Sequence, residues 1–334
     1  MAWKNLSQNS LADGLIGHHE ALEELDDVEA LIDWSEIEQL LKDIHNKSRG
    51  VQAWPPLMMF KALLLQSWYG LSDPALEKQL ARDLLFRRFI QLGLSEGVPD
   101  HTTLWRFRNR LEKTGLYERL LEVINQQLSR RGLLIRSGEV SIIDASVIEA
   151  KQNRPGKGKD GRNTQDEEAG YNVKQGSDGK RKTTYGFKAH VNAEEDGFIK
   201  AYELTAGNVH DSKVFEPLLT DKEEEVYADS AYKSRVHDEL LKEKGIRNRV
   251  LERAYRNKPL SAKQKRLNRI NSSTRSIVER VFGVLKLHYG MAKARYLGIA
   301  RNKARLGLMC LAYNIKRGVA IARSCQMSAQ GNTV

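Results

Sequence analysis

The chain has 334 residues, with 54 Lys and Arg against 43 Asp and Glu, and so carries a formal net charge of +11. Its composition, 40% hydrophobic and 29% charged, is ordinary for a globular protein of two or three domains and argues against a disordered chain. Two cysteines and the lack of an apolar run of about 18 residues exclude disulfide scaffolds, four-cysteine zinc sites and transmembrane helices. We expect a cytoplasmic protein without a membrane partner.

Residues 1–48 form an acidic segment with a helical pattern. Its acids are interleaved at helical spacing with apolar residues, among them Leu25, Val28 and Leu31. This arrangement is typical of an amphipathic helix. We therefore predict a helical arm, with dimerisation as its candidate role.

Residues 49–136 are predicted to form an all-helical domain. Helix-start signals recur at Pro55, Ser72 and Asp100. At about 100° per residue, the helix that follows Asp100 turns Arg106 and Arg110 away from its apolar face. Two interpretations are open: a helix-turn-helix-like DNA-binding domain in which both arginines contact DNA, or an ordinary solvated helix face.

Residues 137–322 change to short β-branched and aromatic runs separated by turn residues, which predicts strands. Three consecutive strands are followed by a helix, a further strand and more helices. This order predicts a mixed α/β domain rather than a doubly wound one. The last segment, residues 323–334, is polar and small, and we expect a disordered tail.

Two acids of this domain fall in or just after predicted strands. Asp144 is surrounded in the sequence by apolar residues such as Ile142 and Ile143, where an ionised carboxylate is costly unless a cation compensates it. Asp229 directly follows the short strand at residues 226–228. Each acid alone is explained as a turn or cap residue, whereas the pair leaves a turn or cap role and a metal site equally open.

A third acid, Glu279, lies in a predicted helix between two cations. Because each residue turns a helix by roughly 100°, Arg275, Glu279 and Lys286 share one stripe that borders the apolar face. The stripe is interpreted either as a simple ion pair or as a metal ligand whose neighbouring cations hold phosphates.

Three carboxylates with surplus basic charge around them suit phosphoryl transfer on a polyanion. Basic residues dominate from Lys242 to Arg305, which favours a nucleic acid as partner. Cysteine and histidine spacings of zinc sites are absent from the sequence, so the expected metal takes oxygen ligands. We predict two Mg²⁺ ions, with Mn²⁺ as a substitute.

Five segments resemble, in the right order, the successive blocks of bacterial insertion-sequence transposases of the DDE type, in the insertion-sequence-four and -five superfamily. They are SIIDAS, YGFKAHVN, TAGNVHDS, VYADSAY and RSIVERVFGVLK. PDHTTLWRFRNRL also resembles the end of the family's N-terminal helical domain. The resemblance implies an RNase H-like catalytic domain in which Asp144, Asp229 and Glu279 form a triad that binds divalent metal.

The same resemblance assigns further residues. Arg275 and Lys286 match the family's signature around the Glu, whereas Ser272 stands where the family usually has Tyr. The basic insertion at residues 253–273 is expected to face substrate before the catalytic helix. Further matches near the active site, expected to contact DNA or support the acids, are Lys188, His190, His210 and Asp211.

The leading hypothesis is a transposase that cuts DNA at the terminal inverted repeats of its element and joins the released 3′-hydroxyls to target DNA. It is expected to bind element ends and target as double-stranded DNA, to act as a homodimer or higher oligomer, and to be associated with the nucleoid. Two alternatives remain on the same fold: a domesticated DNA-binding regulator, and a structure-specific nuclease that cuts without strand transfer.

Overall fold

The computed structural model describes most of the chain. The described residues are 4, 19–44, 52–133, 139–153, 156, 164–175, 180–254 and 259–331. Contacts divide the chain into two units, residues 1–133 with 307–334, and residues 134–306. No helix in these ranges combines the length and the apolar character needed to cross a membrane.

The regular elements follow one another from helices to strands and back to helices. The described helices are α1 (Asp26–Leu31), α2 (Trp34–Leu41), α3 (Pro56–Trp68), α4 (Asp73–Arg82), α5 (Leu84–Phe89), α6 (His101–Lys113), α7 (Leu116–Arg130), α8 (Arg235–Glu243), α9 (Ala262–His288) and α10 (Ile299–Gly331). The described strands are β1 (Val140–Glu149), β2 (Gly170–Gln175), β3 (Arg181–Ala193), β4 (Ile199–Ala206), β5 (Glu225–Ala228) and β6 (Arg247–Asn248).

Side-chain caps explain where several helices of the first unit begin. Asp33, Ser72, Asp83 and Asp100 precede α2, α4, α5 and α6, and each accepts a hydrogen bond from a backbone N–H of the following turn. Such caps satisfy donors that have no partner within the helix. The helical prediction for this region is confirmed, including the helix starts at Ser72 and Asp100.

Helix α6 has the amphipathic orientation that its sequence predicts. Leu104 and Leu111 are fully buried, whereas Arg106 is exposed. Arg108 is buried as well, and its guanidinium lies 2.5 Å from the carboxylate of Asp73 at the start of α4. One arginine of this helix therefore stabilises the packing of α6 on α4.

The described part of the acidic segment, residues 19–44, belongs to the helical unit. Ile37 and Leu41 of α2 are fully buried in that unit. Acids of the segment pair with cations of later helices: Asp26 with Arg88, Glu29 with Lys61, and Glu36 with Arg130. The apolar face that the sequence assigned to a separate arm is used within the unit, and residues 5–18 and 45–48 lie outside the described residues.

Helix α10 continues through the segment expected to be a disordered tail. It runs past residue 322 to Gly331, because the small and polar residues there are tolerated in a helix. From residue 307 it belongs to the helical unit. There Trp68 Nε1 donates to the carbonyl of Ala312 at 2.9 Å, and a Cβ added at Gly318 would lie 2.7 Å from Leu128.

The second unit is built on a mixed sheet, as predicted. In the described residues the order is β2, β3, β1, β5, β6, with β4 paired to the same edge of β3 as β2. Strand β3 is antiparallel to β1, β2 and β4, while β1, β5 and β6 are parallel to one another. The sequence did not predict β2 and β6, which are too short to show a clear alternation.

Gly186 lets the β2–β3 ribbon extend beyond the end of β1. It pairs with Glu149 on one side and with Gly170 on the other. A Cβ at this position would lie 1.9 Å from the carbonyl oxygen of Ile148, so a side chain would separate the strands. The carbonyl oxygen of Tyr185 still accepts a hydrogen bond from the backbone N–H of Ala150 at 2.9 Å. Among the described residues, 181–184 pair with β2 alone, and this ribbon projects past the sheet.

The two faces of the sheet have different coverings. On one face, Ile143 packs with Phe215, Val226 and Leu241 in a buried apolar cluster that includes α8. Alternation along a strand turns Asp144 to the opposite face, where α9 packs against β1, β3 and β5. The functional acids are thus expected on the α9 side.

The basic insertion is the first part of α9 rather than a segment before it. Ser261 and Gln264 form a capping box that starts the helix, and a box of this kind satisfies two backbone donors at once. Residues 262–273 are consequently helical and mostly exposed. Residues 255–258 of the insertion lie outside the described part of the chain.

A buried acid in the turn between β3 and β4 makes stability depend on pH. Glu194 is 2% exposed, and burial, followed by the charge of Asp196, raises its pKa from 4.5 to about 8. The folded protein then binds more protons than the unfolded chain between these values. Stability is therefore highest below pH 4.5 for this group and declines as pH rises to about 8, by roughly 1.4 kcal/mol per pH unit at most.

We expect Glu194→Gln to remove most of this decline. Urea unfolding at pH 5, 6.5 and 8 measures it, with Glu195→Gln, a change at the exposed neighbour, as the matched control. Equal pH slopes for Glu194→Gln and the unmodified protein would show that Glu194 is already ionised in the folded state.

Candidate active site

Asp144 lies near the middle of β1, where the paired part of β5 ends. Its side chain is 19% exposed, and its Oδ1 accepts a hydrogen bond from the backbone N–H of Ala145 at 2.8 Å. Burial raises the pKa of Asp144 to about 6, although the guanidinium of Arg275 acts in the opposite direction. The positive charge of Arg275 therefore offsets part of the free-energy cost of burying this carboxylate.

Asp229 is placed beside Asp144 by the parallel register of β1 and β5. Ile143 pairs with Ala228, so the two acids are the next residues on neighbouring strands. Asp229 caps the 3₁₀ turn Ser230–Tyr232, and its Oδ1 accepts a hydrogen bond from the backbone N–H of Ser230 at 2.6 Å. The turn directs the chain away from the sheet directly after the acid.

Glu279 comes from α9, the helix that covers this face of the sheet. Val278, Val281 and Leu285 of the helix are buried, which turns the neighbouring stripe with Arg275 and Glu279 toward the strand acids. Arg275 Nη2 lies 2.5 Å from Glu279 Oε1, one helical turn away. The helical stripe predicted from the sequence therefore exists and borders the buried face.

The guanidinium of Arg275 joins the three acids. Its nitrogens lie 3.9 Å from Asp144, 3.2 Å from Asp229 and 2.5 Å from Glu279. Burial works against the charged form of Arg275, but these carboxylates outweigh it and raise its pKa. The structure thus brings together Asp144, Asp229, Glu279 and Arg275, four residues that are up to 135 positions apart in the sequence.

The donor set at this place fits a hard divalent cation. Three carboxylates from three separate elements supply oxygen ligands, which Mg²⁺ and Mn²⁺ prefer. Within the described ranges, no three Asp, Glu, His or Cys side chains are close enough to hold a metal ion as they stand. Arg275 supplies the positive charge between the acids, and its Nε is buried without a hydrogen-bond partner in the described part of the chain.

Lys286 lies farther along α9, outside the group around Arg275. It lines a recess of about 340 Å³ between α9 and the sheet, together with Lys174 and Lys182. Burial, followed by the charges of those two lysines, lowers the pKa of Lys286. The sequence places Lys286 on the same helical stripe as Glu279. The position of Lys286 in the recess agrees with this, because the recess adjoins the acids along β1.

Lys188 and His190 point to the other face of the sheet. Antiparallel pairing sets Ala145 opposite His190 and Asp144 opposite Val191, so His190 and Asp144 have opposite orientations. His190 has no exposed surface, and burial lowers its pKa to about 4. The structure therefore places His190 in the interior of the unit. A DNA contact or a supporting role for this residue remains a prediction.

Lys188 is held by the chain that follows β4. Its Nζ donates to the carbonyl oxygen of Val209 at 2.6 Å and to Asp211 at 2.8 Å. His210 is exposed and hydrogen-bonded to Ser212. Lys188 thus holds the loop around Asp211 in place. Of Lys188, His190 and His210, His210 is the residue with an exposed side chain.

Arg106 and Arg110 belong to α6 of the helical unit. Arg106 is exposed and Arg110 is partly exposed. Both orientations agree with a helix face available to a ligand. A DNA contact by either residue remains a prediction.

The sequence analysis did not single out Lys174 and Lys182. Lys174 is close enough to Asp144 to lower that residue's pKa. The two lysines are directly opposite each other in β2 and β3. The signal that could have found them is the alternation of Asn172 and Lys174 in β2, a strand too short to be predicted from its sequence pattern.

Comparisons with known families and structures agree with this site. The family description "Transposase domain (DUF772)" matches residues 15–110, and "Transposase DDE domain" matches residues 135–315. A solved structure titled "Crystal structure of a pre-cleavage Mos1 transpososome" aligns over 86% of this chain and 84% of that chain, at 11% identity and a TM-score of 0.19. This last superposition is too poor to support an argument.

The DDE match includes all three acids, Arg275 and Lys286, and spans more than half of the sequence. The fold class predicted from the resemblance is confirmed, with a helical N-terminal region before an RNase H-like mixed α/β unit. The chain therefore belongs to the DDE transposase family of insertion sequences and is a DNA transposase.

Proposed function

We propose that Asp144, Asp229 and Glu279 are the metal-binding and catalytic triad of this transposase. The observation that supports this most strongly is their convergence, from β1, from the end of β5 and from α9, on one guanidinium. Carboxylates repel one another, and a fold keeps three together only where a cation offsets the repulsion. A DNA-cutting site needs such a cluster of carboxylates to bind divalent metal, which would explain why the fold keeps the three together.

The expected cofactor is Mg²⁺, two ions per site, with Mn²⁺ as a substitute. Bound there, divalent metal would activate the attacking oxygen and stabilise the leaving oxygen at a DNA phosphate. The residues of the chain provide the rest: the sheet holds Asp144 and Asp229 in register, and α9 holds Glu279 against them. Such positioning and charge stabilisation are most of what phosphoryl transfer requires.

Basic side chains around the triad are proposed to bind the DNA backbone. Lys286 of α9 is half-buried beside the sheet, and Arg275 is within reach of the place where a phosphate would meet the acids. Arg106 and Arg110 of α6 are proposed to help the helical unit engage the terminal repeats. The partners are double-stranded element ends and target DNA, bound by a dimer or higher oligomer in the nucleoid.

Cleavage of a linear DNA that carries the native ends of the element tests this proposal. We expect cutting with Mg²⁺ or Mn²⁺ and none with EDTA. Glu279→Gln should lower the rate at least ~10²-fold while leaving DNA binding intact, because the amide keeps the shape but loses a charged ligand. Glu243→Gln, an exposed change in α8, is the matched control and should cut normally.

A substrate with a pre-cut end and a free 3′-hydroxyl separates a transposase from a nuclease. Joining of that end to a second duplex is expected, with the same dependence on Glu279. Binding of the ends without any cutting, under every divalent metal tried, would instead favour a regulator that has kept the fold.

The role of Arg275 as counter-charge predicts a defect that metal corrects. Without Arg275, Asp144 loses the cation that offsets its burial, so Arg275→Gln should lower the free energy of unfolding in EDTA by about 1–3 kcal/mol. Millimolar Mn²⁺ should restore most of this loss, since it supplies charge to the same acids. Chemical unfolding with EDTA or Mn²⁺ measures both effects.

Arg280→Gln serves as the control for this experiment. Arg280 is exposed on the same helix, and its loss should change the unfolding free energy by less than about 0.5 kcal/mol with or without metal. An equal Mn²⁺ effect on both variants would contradict a counter-charge role for Arg275.

A further inference from the structure

The recess beside the triad has an unusual lining. About 340 Å³ in volume, it lies between the β2–β3 ribbon, the second half of β1 and α9. The side chains that line it are mostly polar or cationic, and Glu149 is the one acid among those described. They include Ser146, Asn172, Lys174, Lys182, Thr184 and Lys286.

Three lysines lie close together in this recess, and the repulsion between their charges lowers the stability of the folded protein. Lys174 and Lys182 are directly opposite each other in the antiparallel register, so their Cβ atoms are about 5 Å apart and their charges repel. Lys286 adds a third charge from α9. In the part of the chain that the structure describes, none of the three has a carboxylate within ion-pair distance.

The wall of the recess adds one neutral donor that lacks a protein acceptor among the described residues. Asn172 is 7% exposed, and its Nδ2 has no hydrogen-bond partner in the described residues. Thr184 is directly opposite Asn172 in the same register. A buried amide without a partner costs free energy comparable to a lost hydrogen bond, so a ligand with acceptor oxygens would stabilise this wall.

The position of the recess links it to the acids. Ser146, which lines it, lies two residues beyond Asp144 on the same strand and turns to the same face, at about 7 Å along β1. Because duplex DNA rises 3.4 Å per nucleotide along each strand, the recess lies within about two nucleotides of a phosphate held at the acids.

We propose that Lys174, Lys182 and Lys286, with Asn172, form a binding site for a backbone phosphate of DNA close to the cleavage position. This inference rests on the proposed function for the location of the DNA, but not for the existence of the anion site. The phosphate satisfies the amide and neutralises the repulsion among the lysines. Without a bound anion, the protein is accordingly less stable than a variant in which these lysines are replaced by neutral residues.

DNA affinity measured over a range of salt concentrations tests the site. The probe is a fluorescent duplex of arbitrary sequence, titrated with the full chain from 50 to ~300 mM KCl. We expect Lys174→Gln/Lys182→Gln to weaken binding about tenfold and to lower the slope of log Kd against log [KCl] by about one to two. Lys174→Arg/Lys182→Arg, which keeps the charge, should restore both.

The matched control is Lys213→Gln/Lys222→Gln, which removes the same charge from two exposed positions outside the recess and outside the basic stretch that begins at Lys242. It should change affinity less than about twofold. Equal losses for the two glutamine pairs would overturn the proposal, because general charge would then explain them. An unchanged slope in Lys174→Gln/Lys182→Gln would overturn it as well.

Thermal unfolding provides a readout that needs no DNA. With inorganic phosphate in place of chloride at equal ionic strength, the unmodified protein and the control should gain Tm, and Lys174→Gln/Lys182→Gln should not. In chloride alone the double variant should be at least as stable as the unmodified protein. If the lysines were merely structural, the double variant would be less stable. If these results hold but no DNA is cut, the anion site stands and the proposed catalytic triad fails.

Discussion

Electrostatic balance between one guanidinium and three carboxylates decides the architecture of the sheet unit. Asp144 is too buried to carry its charge without help, and Arg275 lies within 3.9 Å of it while also reaching Asp229 and Glu279. These contacts hold α9 against β1 and the end of β5. Under the proposed function, a metal ion bound by these acids would compete with Arg275 for their negative charge.

The site lies where strand β1 stops pairing with strand β5. Parallel pairing of β1 with β5 ends at Ile143 and Ala228, and the next residue on each strand is an acid. On the opposite face the same strand carries Ile143 into an apolar cluster. The apolar cluster thus packs on one face of the strand, while the carboxylates lie on the face that α9 covers.

Among the described residues of the sheet unit, some cations have an ion-pair partner and others have none. Arg275 is held by acids, and Lys188 is held by Asp211 on the far side of the sheet, so both are positioned by the fold. Lys174, Lys182 and Lys286 face one another instead, at a place where the ribbon extends past Gly186. Under the proposed function, these lysines would bind the DNA backbone beside the acids that cut it.

The sequence determined the local features on its own, and the tertiary structure decided which of them meet. Helix caps at Ser72 and Asp100, the strands around Asp144 and Asp229, and the stripe of Arg275, Glu279 and Lys286 depend on short-range periodicity and capping. The order of the blocks also indicated the family and the triad. Strand register decided that His190 points away from the acids, and it set Lys174 opposite Lys182. Such pairings join residues far apart in the chain, and no local pattern encodes them.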